Sequence, residues 1–446
     1  MTNFQVAYVP IGVPTFELVS AQKEFEKSVD LLNSLSDCVV APKEMLLSID
    51  LLNAYLETIH PDLIVLQNIT FANAAYASEV LKRFTCPILL WTLREPVIDG
   101  GRLRLNSLTG AYSAANAIKA FRKEPFEYVF GGPCEEEVKT KIGAVIEAAK
   151  VKKDMQSLKL AAIGHTPQGF GFGRALDMEM LEQFGVTLTS IEARELIDVA
   201  KQYTDEDIEG YLANAGKCLK GLEQTPENNR KDFARLYRAY SEYVKENHIG
   251  ALASRCWPDF FTAFGTPVCA VLAILNDLGI PASCEADTYG ALSMYLGMQL
   301  TDHPTFFGDP VSMDEVENTI TFWHCGTAAC SLANPSEGAK VGVHCNRKIG
   351  PTLDFGCKSC ENITVFRIGR KADGSFRFFL AKGEALDKPK QFNGTSVVVK
   401  MEKDVKEIIE NTVKEGWEPH FVVIYGDKMA QLEVLAHMLN MEVCKY

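Results

Sequence analysis

What this chain lacks narrows it first. It has no run of 18 or more apolar residues, so no membrane-spanning helix is predicted. Its opening, MTNFQVAYVPIGVPTF, shows neither the basic start nor the long apolar core of an export signal. It lacks a basic surplus: 45 Lys and Arg stand against 58 Asp and Glu, a formal charge of -13. That balance argues against nucleic acid or an anionic membrane as the main partner, though a local basic pocket for a small anion stays open. The 13 cysteines follow no framework, and most lie in apolar segments such as Val268-Cys269-Ala270. They read as reduced thiols of a cytoplasmic protein. The one CxxC, Cys357 to Cys360, has no second CxxC or HxxxH to complete a zinc site, so strand or turn thiols are expected there. There is no GxSxG nucleophile elbow. Gly169-Phe170-Gly171-Phe172-Gly173 follows a strand pattern but does not fit GxGxxG, and no acidic residue is suitably placed about 20 residues on. Tandem repeats and low-complexity tracts are also absent.

What remains is an α/β pattern on a large scale. A chain of 446 residues exceeds a single core and predicts about three domains. Short apolar runs at Phe4–Val9, Leu63–Gln67 and Pro87–Trp91 alternate with helical patterns at Ala21–Leu35 and Ala74–Arg83, the signature of βαβ units around a parallel sheet. A lysine-rich helix, Val138–Leu158, leads to a second set of strands at Lys159–Gly164, Val186–Ile191, Ile249–Ser254 and Pro281–Cys284. The helix Asn228–Glu246 between them repeats Leu236, Tyr237, Tyr240 and Tyr243 at helical spacing. Beyond about residue 300, Thr364–Gly369, Ser375–Ala381 and Thr395–Lys400 read as antiparallel strands broken by Asp-Gly and Asn-Gly. Helix, strand and helix then close the chain at Val405–Glu415, Phe421–Tyr425 and Ala430–Leu439. The expected division is 1–152 and 153–300 as α/β domains and 301–446 as a β-rich one.

Ligands of open α/β sheets collect at the carboxyl ends of strands. Asn68, Arg255, Trp257, Glu285 and His324 fall at such ends. In GIPASCEADTYGALSMYLG, Gly279–Gly297, two carboxylates stand at the seam between a buried strand and a buried helix. Charges are seldom left there unpaired. Glu285 or Asp287 can cap the helix, and Glu285 can point away while Asp287 caps. Asp309, in FFGDP, is first a turn signal; His324 is first a hydrogen-bonded core histidine; His420 begins a buried strand. Taken together, two carboxylates and one or two histidines make an open O/N site for Mn²⁺, Mg²⁺ or Co²⁺.

RCWPDF, GIPASCEADTYGALSMYLG, FFGD, WHCGTA and PHFVVIYGD, in that order, together with IGVPTFE and LAAIGHTPQGF, resemble the L-fucose/L-arabinose isomerase family over essentially the whole chain. The resemblance implies two Rossmann-like parallel-sheet domains plus a C-terminal domain containing a β-barrel. It implies homo-oligomers, hexamers or trimers, and a divalent metal, usually Mn²⁺, held by Glu285, Asp309 and His420. The family's usual His-His pair is Pro419-His420 here, and His324 matches a further metal or substrate histidine. The implied reaction converts an aldose to a ketose through a cis-enediolate, with Glu285 and Asp309 moving the protons. The chain is shorter than classical L-fucose isomerases, which places it in a compact branch. A compact relative acts on the sulfonated hexose sulfoquinovose, and a C6-modified hexose is the expected substrate, the sulfo-sugar ahead of a deoxy-sugar. An L-fucose or D-arabinose isomerase and a non-catalytic sugar-binding protein are the alternatives. Arg94, Arg102, Arg104 and Arg255 are the candidates for a sulfonate, unless the arginines of RLRL form a solvated face. Asn106 resembles a substrate-side residue of the family.

Overall fold

The computed structural model describes residues 4–122 and 125–446. Two compact units divide the chain: Met1–Asp154 with Ala430–Met441, and Met155–Met429 with Glu442–Tyr446.

The first unit is built on five parallel strands, β1 Val6–Ile11, β2 Val39–Val40, β3 Leu63–Asn68, β4 Ile88–Thr92 and β5 Glu127–Phe130, in the order β2-β1-β3-β4-β5. VAYVPI and LIVLQN are buried at every position, as strands covered by helices on both faces must be. The covering helices include α1 Leu18–Leu35, α2 Ile49–Leu56, α3 Ala74–Arg83 and α4 Ser107–Phe121. The order reverses between β1 and β3, so the crevice of this sheet opens beyond Ile11 and Asn68, which pair across the register. Residues 430–441 join this unit, where the His437 imidazole meets the Glu127 carboxylate at 2.9 Å.

The second unit opens with a four-stranded parallel sheet, β6 Lys159–Ile163, β7 Thr187–Ile191, β8 Ala251–Ser254 and β9 Ala282–Cys284, ordered β7-β6-β8-β9. The long helix Glu227–Glu246 buries Phe233, Leu236, Tyr237 and Tyr240, the stripe its spacing predicts, while Tyr243 stays half-buried. Helix Thr288–Thr301, which follows β9, packs on β8 and β9 on one side. On its other side are two strands of a second sheet, Cys360–Arg370 and Phe421–Tyr425. It is therefore apolar and buried nearly all round. Gly297 permits the close approach, since a Cβ there would lie 2.8 Å from Ile424.

The second sheet is mixed. Six of its strands, Thr395–Met401, Thr319–His324, Phe306–Asp314, Phe421–Tyr425, Cys360–Arg370 and Phe376–Ala385, follow one another in that order. Gly383 to Ala385 of the last then pair with Met401 to Val399 of the first, returning the hydrogen bonding to its start. The expected strands are all present, with shifted ends: Phe4–Val9 is observed as Val6–Ile11, and Ser375–Ala381 extends to Phe376–Ala385. Among the described residues no helix is long and apolar enough to cross a membrane.

Candidate metal centre

Between β9 and the helix that begins at Thr288 lie Glu285, Ala286 and Asp287. Glu285 and Ala286 both adopt left-handed backbone, φ 59° and 55°. Residues with side chains rarely do so, and each such residue costs on the order of 1–3 kcal/mol. The turn separates the two acids. Asp287 takes the helix cap, accepting the Gly290 N–H at 2.9 Å. Glu285 is thrown clear of the helix end.

It meets the second sheet there. His420 lies just before strand Phe421–Tyr425, and its Nε2 is 3.0 Å from Glu285 Oε2 and 3.4 Å from Asp309 Oδ1. Asp309 pairs across the sheet with Trp323, while Gly308 pairs with Phe421, so one strand sets the carboxylate between the two histidine-bearing neighbours. His324 ends its strand fully buried. One donor atom each from Glu285, His324 and His420 falls within 4.8 Å of the others, and among the described residues this is the grouping of three such side chains close enough for one ion. Ligands held about 2.1 Å from a shared ion lie within about 4.2 Å of each other, so a small inward movement suffices. The donors are oxygen and imidazole nitrogen with no thiolate, which suits Mn²⁺, Mg²⁺ or Co²⁺. The residues fit a divalent cation.

The charges are strongly perturbed. Burial pushes the Asp309 carboxyl up to about 6, with Glu285 and Asp287 adding to the rise against His420. Burial also acts on Glu285, but hydrogen bonding to His420 and the nearby His324 outweigh it and hold that carboxyl below its usual value. His420 is raised to about 9, because its bonds to Asp287 and Glu285 overcome burial. His324, buried with less compensation, is lowered to about 4.

Aromatic rings close the site. The Trp257 indole N–H donates to Glu285 Oε1 at 3.1 Å. Phe307 lies 4.7 Å from the His420 ring and 5.5 Å from that of His324, centroid to centroid. Phe172 meets His420 edge-on at 5.5 Å, and Phe170 sits 6.0 Å from Trp257. Both phenyl rings come from GFGFG. Gly173 lets that loop touch the metal-side turn, since a Cβ there would fall 2.8 Å from Asp287 Cα. Sequence reading tested this motif only as a phosphate loop and missed its two rings, although phenylalanines alternating with glycines were a visible signal. Phe172→Ala is expected to cost roughly 1–2 kcal/mol of stability, which thermal melting checks.

The remaining candidates are more dispersed. Arg255 belongs to this unit but is engaged, with Nε 2.9 Å from Asp259 Oδ2 and donating to the Trp257 carbonyl at 3.1 Å. Asn68, Arg94 and Asn106 belong to the other compact unit. Asn68 is fully buried at the carboxyl end of β3, with neither amide atom hydrogen-bonded among the described residues. Arg94 pairs with Glu135 at 2.8 Å. Asn106 precedes α4 in a left-handed conformation, its N–H held by Glu95. In RLRL, Arg104 pairs with Asp99 at 2.9 Å and Arg102 bonds the Thr15 carbonyl, in keeping with the surface-face alternative. Cys357 is a buried strand-end thiol, pushed up to about 12 by burial, and Cys360 bonds the Asn362 carbonyl.

Comparison with known proteins agrees with this arrangement. Residues 352–446 match the L-fucose isomerase C-terminal domain. The chain is 64% identical over 446 residues, all of both chains, to the sulfoquinovose isomerase of Clostridium sp. (strain MSTE9). It is 37% identical over 450 residues, again all of each chain, to those of Priestia aryabhattai and Priestia megaterium (strain ATCC 12872 / QMB1551). With such identity maintained from end to end, this chain belongs to the sulfoquinovose isomerase family, aldose–ketose isomerases that carry an L-fucose isomerase C-terminal domain.

Proposed function

We propose that this chain isomerises sulfoquinovose to 6-deoxy-6-sulfofructose, using a divalent cation held by Glu285, Asp309 and His420, with His324 beside it. The observation that carries the substrate is the 64% identity, without truncation, to a sulfoquinovose isomerase. Mn²⁺ is the cation we favour, with Mg²⁺ and Co²⁺ as alternatives, because the donors are carboxylate and imidazole.

A cation held by Glu285, Asp309 and His420 would supply positive charge to offset the negative charge that builds as C2 loses its proton. The side chains carry the proton chemistry. Glu285 and Asp309 face the same His420 ring from different parts of the fold, so either can take a proton while the other stays charged. One carboxylate takes the proton from C2, giving the enediolate, and a proton is delivered to C1. The O2 proton passes to O1, so the aldehyde and secondary alcohol become a primary alcohol and a ketone with no net loss of atoms. The two acids titrate as a pair, and neither is fixed as the acid or the base. Trp257, Phe170 and Phe172 give the sugar an apolar wall and limit water at the reacting carbons.

At the far end of the sugar a sulfonate requires fixed N–H donors. Arg255, Trp257 and His324 are the substrate contacts this reading draws from the second unit. Asn68, Arg94 and Asn106, on the first unit, are further candidate substrate contacts of this reading. We further read residues 153–300 and 301–446 as separate domains and the six-strand circuit as the family's barrel. The assembly is read as a cytoplasmic homo-oligomer, a hexamer or trimer. A net charge of -13 supports a protein without nucleic-acid or membrane partners.

An NMR or colorimetric ketose assay with Mn²⁺ on sulfoquinovose, L-fucose, D-arabinose and L-arabinose tests the substrate. Sulfoquinovose is expected to have the highest kcat/KM, by tenfold or more, because the 64% identical relative is named for that sugar. Preference for L-fucose would overturn the substrate and leave the isomerase.

A further inference from the structure

Behind His420 lie buried charges that the proton chemistry does not use. Asp287 and Arg367 are each only 1% exposed. Arg367 Nη1 donates to Asp287 Oδ2 at 2.8 Å and Nη2 faces Oδ1 at 3.3 Å, a bidentate pair. The same Nη1 also donates to the carbonyl of His420 at 3.0 Å. Asp287 Oδ2 in turn lies 2.9 Å from His420 Nδ1. One guanidinium therefore holds both the backbone of His420 and, through Asp287, its ring. Glu418 adds a second carboxylate 3.6 Å from Arg367 Nε, and the Phe172 ring lies 5.8 Å from the guanidinium carbon.

Fold stability alone does not call for this group. Taking a guanidinium and a carboxylate out of water is costly, and apolar residues of similar volume stabilise a core as well or better. Its geometry has a chemical consequence instead. With Asp287 accepting from Nδ1–H, the lone pair of the neutral ring resides on Nε2, the atom that faces Glu285 and Asp309. A carboxylate behind a histidine that binds metal is a recurring way to fix ring and tautomer.

We propose that Asp287 and Arg367 are positioning residues that lock His420 in the Nδ1–H tautomer and aim Nε2 at the divalent cation. Asp287 thereby does two things from one side chain, capping the helix with one oxygen and holding the ring with the other. The inference rests on the metal reading above.

Mn²⁺ binding to the full chain, followed by EPR, tests it with Asp287→Asn and Glu285→Gln side by side. Asn keeps the size and the helix cap. Asp287→Asn is expected to weaken Mn²⁺ binding by about 10–100-fold; because it also takes a charge from the buried Arg367 pair, its metal-free melt should fall, so binding is measured well below that melt. Unchanged Mn²⁺ affinity in Asp287→Asn, with binding lost in Glu285→Gln, overturns the positioning role alone. Unchanged affinity in both overturns the metal reading with it. A second readout needs no variant at position 287: in wild-type protein loaded with Mg²⁺, the ¹⁵N signals of the His420 ring, identified by their loss in His420→Gln, should show a protonated Nδ1. A proton on Nε2 would overturn the proposal even if Asp287→Asn failed to fold.

Discussion

Replacing Glu285 by Gln should reduce kcat for ketose formation by at least 10²–10⁴-fold, the range lost with a positioned proton carrier. That corresponds to roughly 3–5 kcal/mol of transition-state stabilisation. The substitution is nearly isosteric and keeps an oxygen for the Trp257 indole, so the fold is expected to survive. What it removes is one negative charge facing His420 at 3.0 Å and grouped with His324. Mn²⁺ affinity should therefore fall together with kcat, whereas circular dichroism and the metal-free melt should not change. A variant that keeps its Mn²⁺ and its turnover would remove Glu285 from the reaction.

The second large effect is on the metal itself. Stripping divalent ions with EDTA should abolish turnover, and added Mn²⁺ should restore it. Uptake should also release protons, because His420, raised to about 9, is mostly protonated at pH 7.5 and must lose its Nε2 proton to serve as a ligand. Asp309, at about 6, is mostly ionised at that pH and contributes little until the pH falls further. The sign follows: Mn²⁺ binding weakens as pH drops, by about tenfold per unit between 8 and 7, and more steeply below 6 as Asp309 also takes a proton. Titration calorimetry in two buffers of different ionisation enthalpy measures the protons released. Uptake that releases none, with an affinity flat from pH 6 to 8, would show that the imidazole is not a ligand.

The sequence carried the site unevenly. Strands such as VAYVPI and LIVLQN are legible because burial on both faces leaves unbroken apolar runs. Glu285 is legible as an acid placed where charge is costly. Which acid caps the helix is not, because the left-handed turn falls on Glu285 and Ala286, and neither residue type announces positive φ. Asp287 is visible as one of two possible caps, but its partners are 80 residues away at Arg367 and 133 away at His420, and no local pattern encodes such pairings. The Asp373-Gly374 turn signals a hairpin, and strands Cys360–Arg370 and Phe376–Ala385 flank it. The return pairing of Gly383–Ala385 with Val399–Met401 depends instead on how the whole sheet curls. Likewise nothing in residues 430–441 marks them as part of the first unit, since that depends on contacts such as His437 with Glu127, 310 residues apart.

Sulfoquinovose incubated in D₂O with the Mn²⁺-loaded protein, and followed by NMR, tests the central claim most directly. The account predicts loss of the aldose signals and growth of 6-deoxy-6-sulfofructose carrying deuterium at C1, because a carboxylate that holds the transferred proton exchanges it with solvent. Sulfoquinovose left unchanged by metal-loaded, folded protein would contradict it.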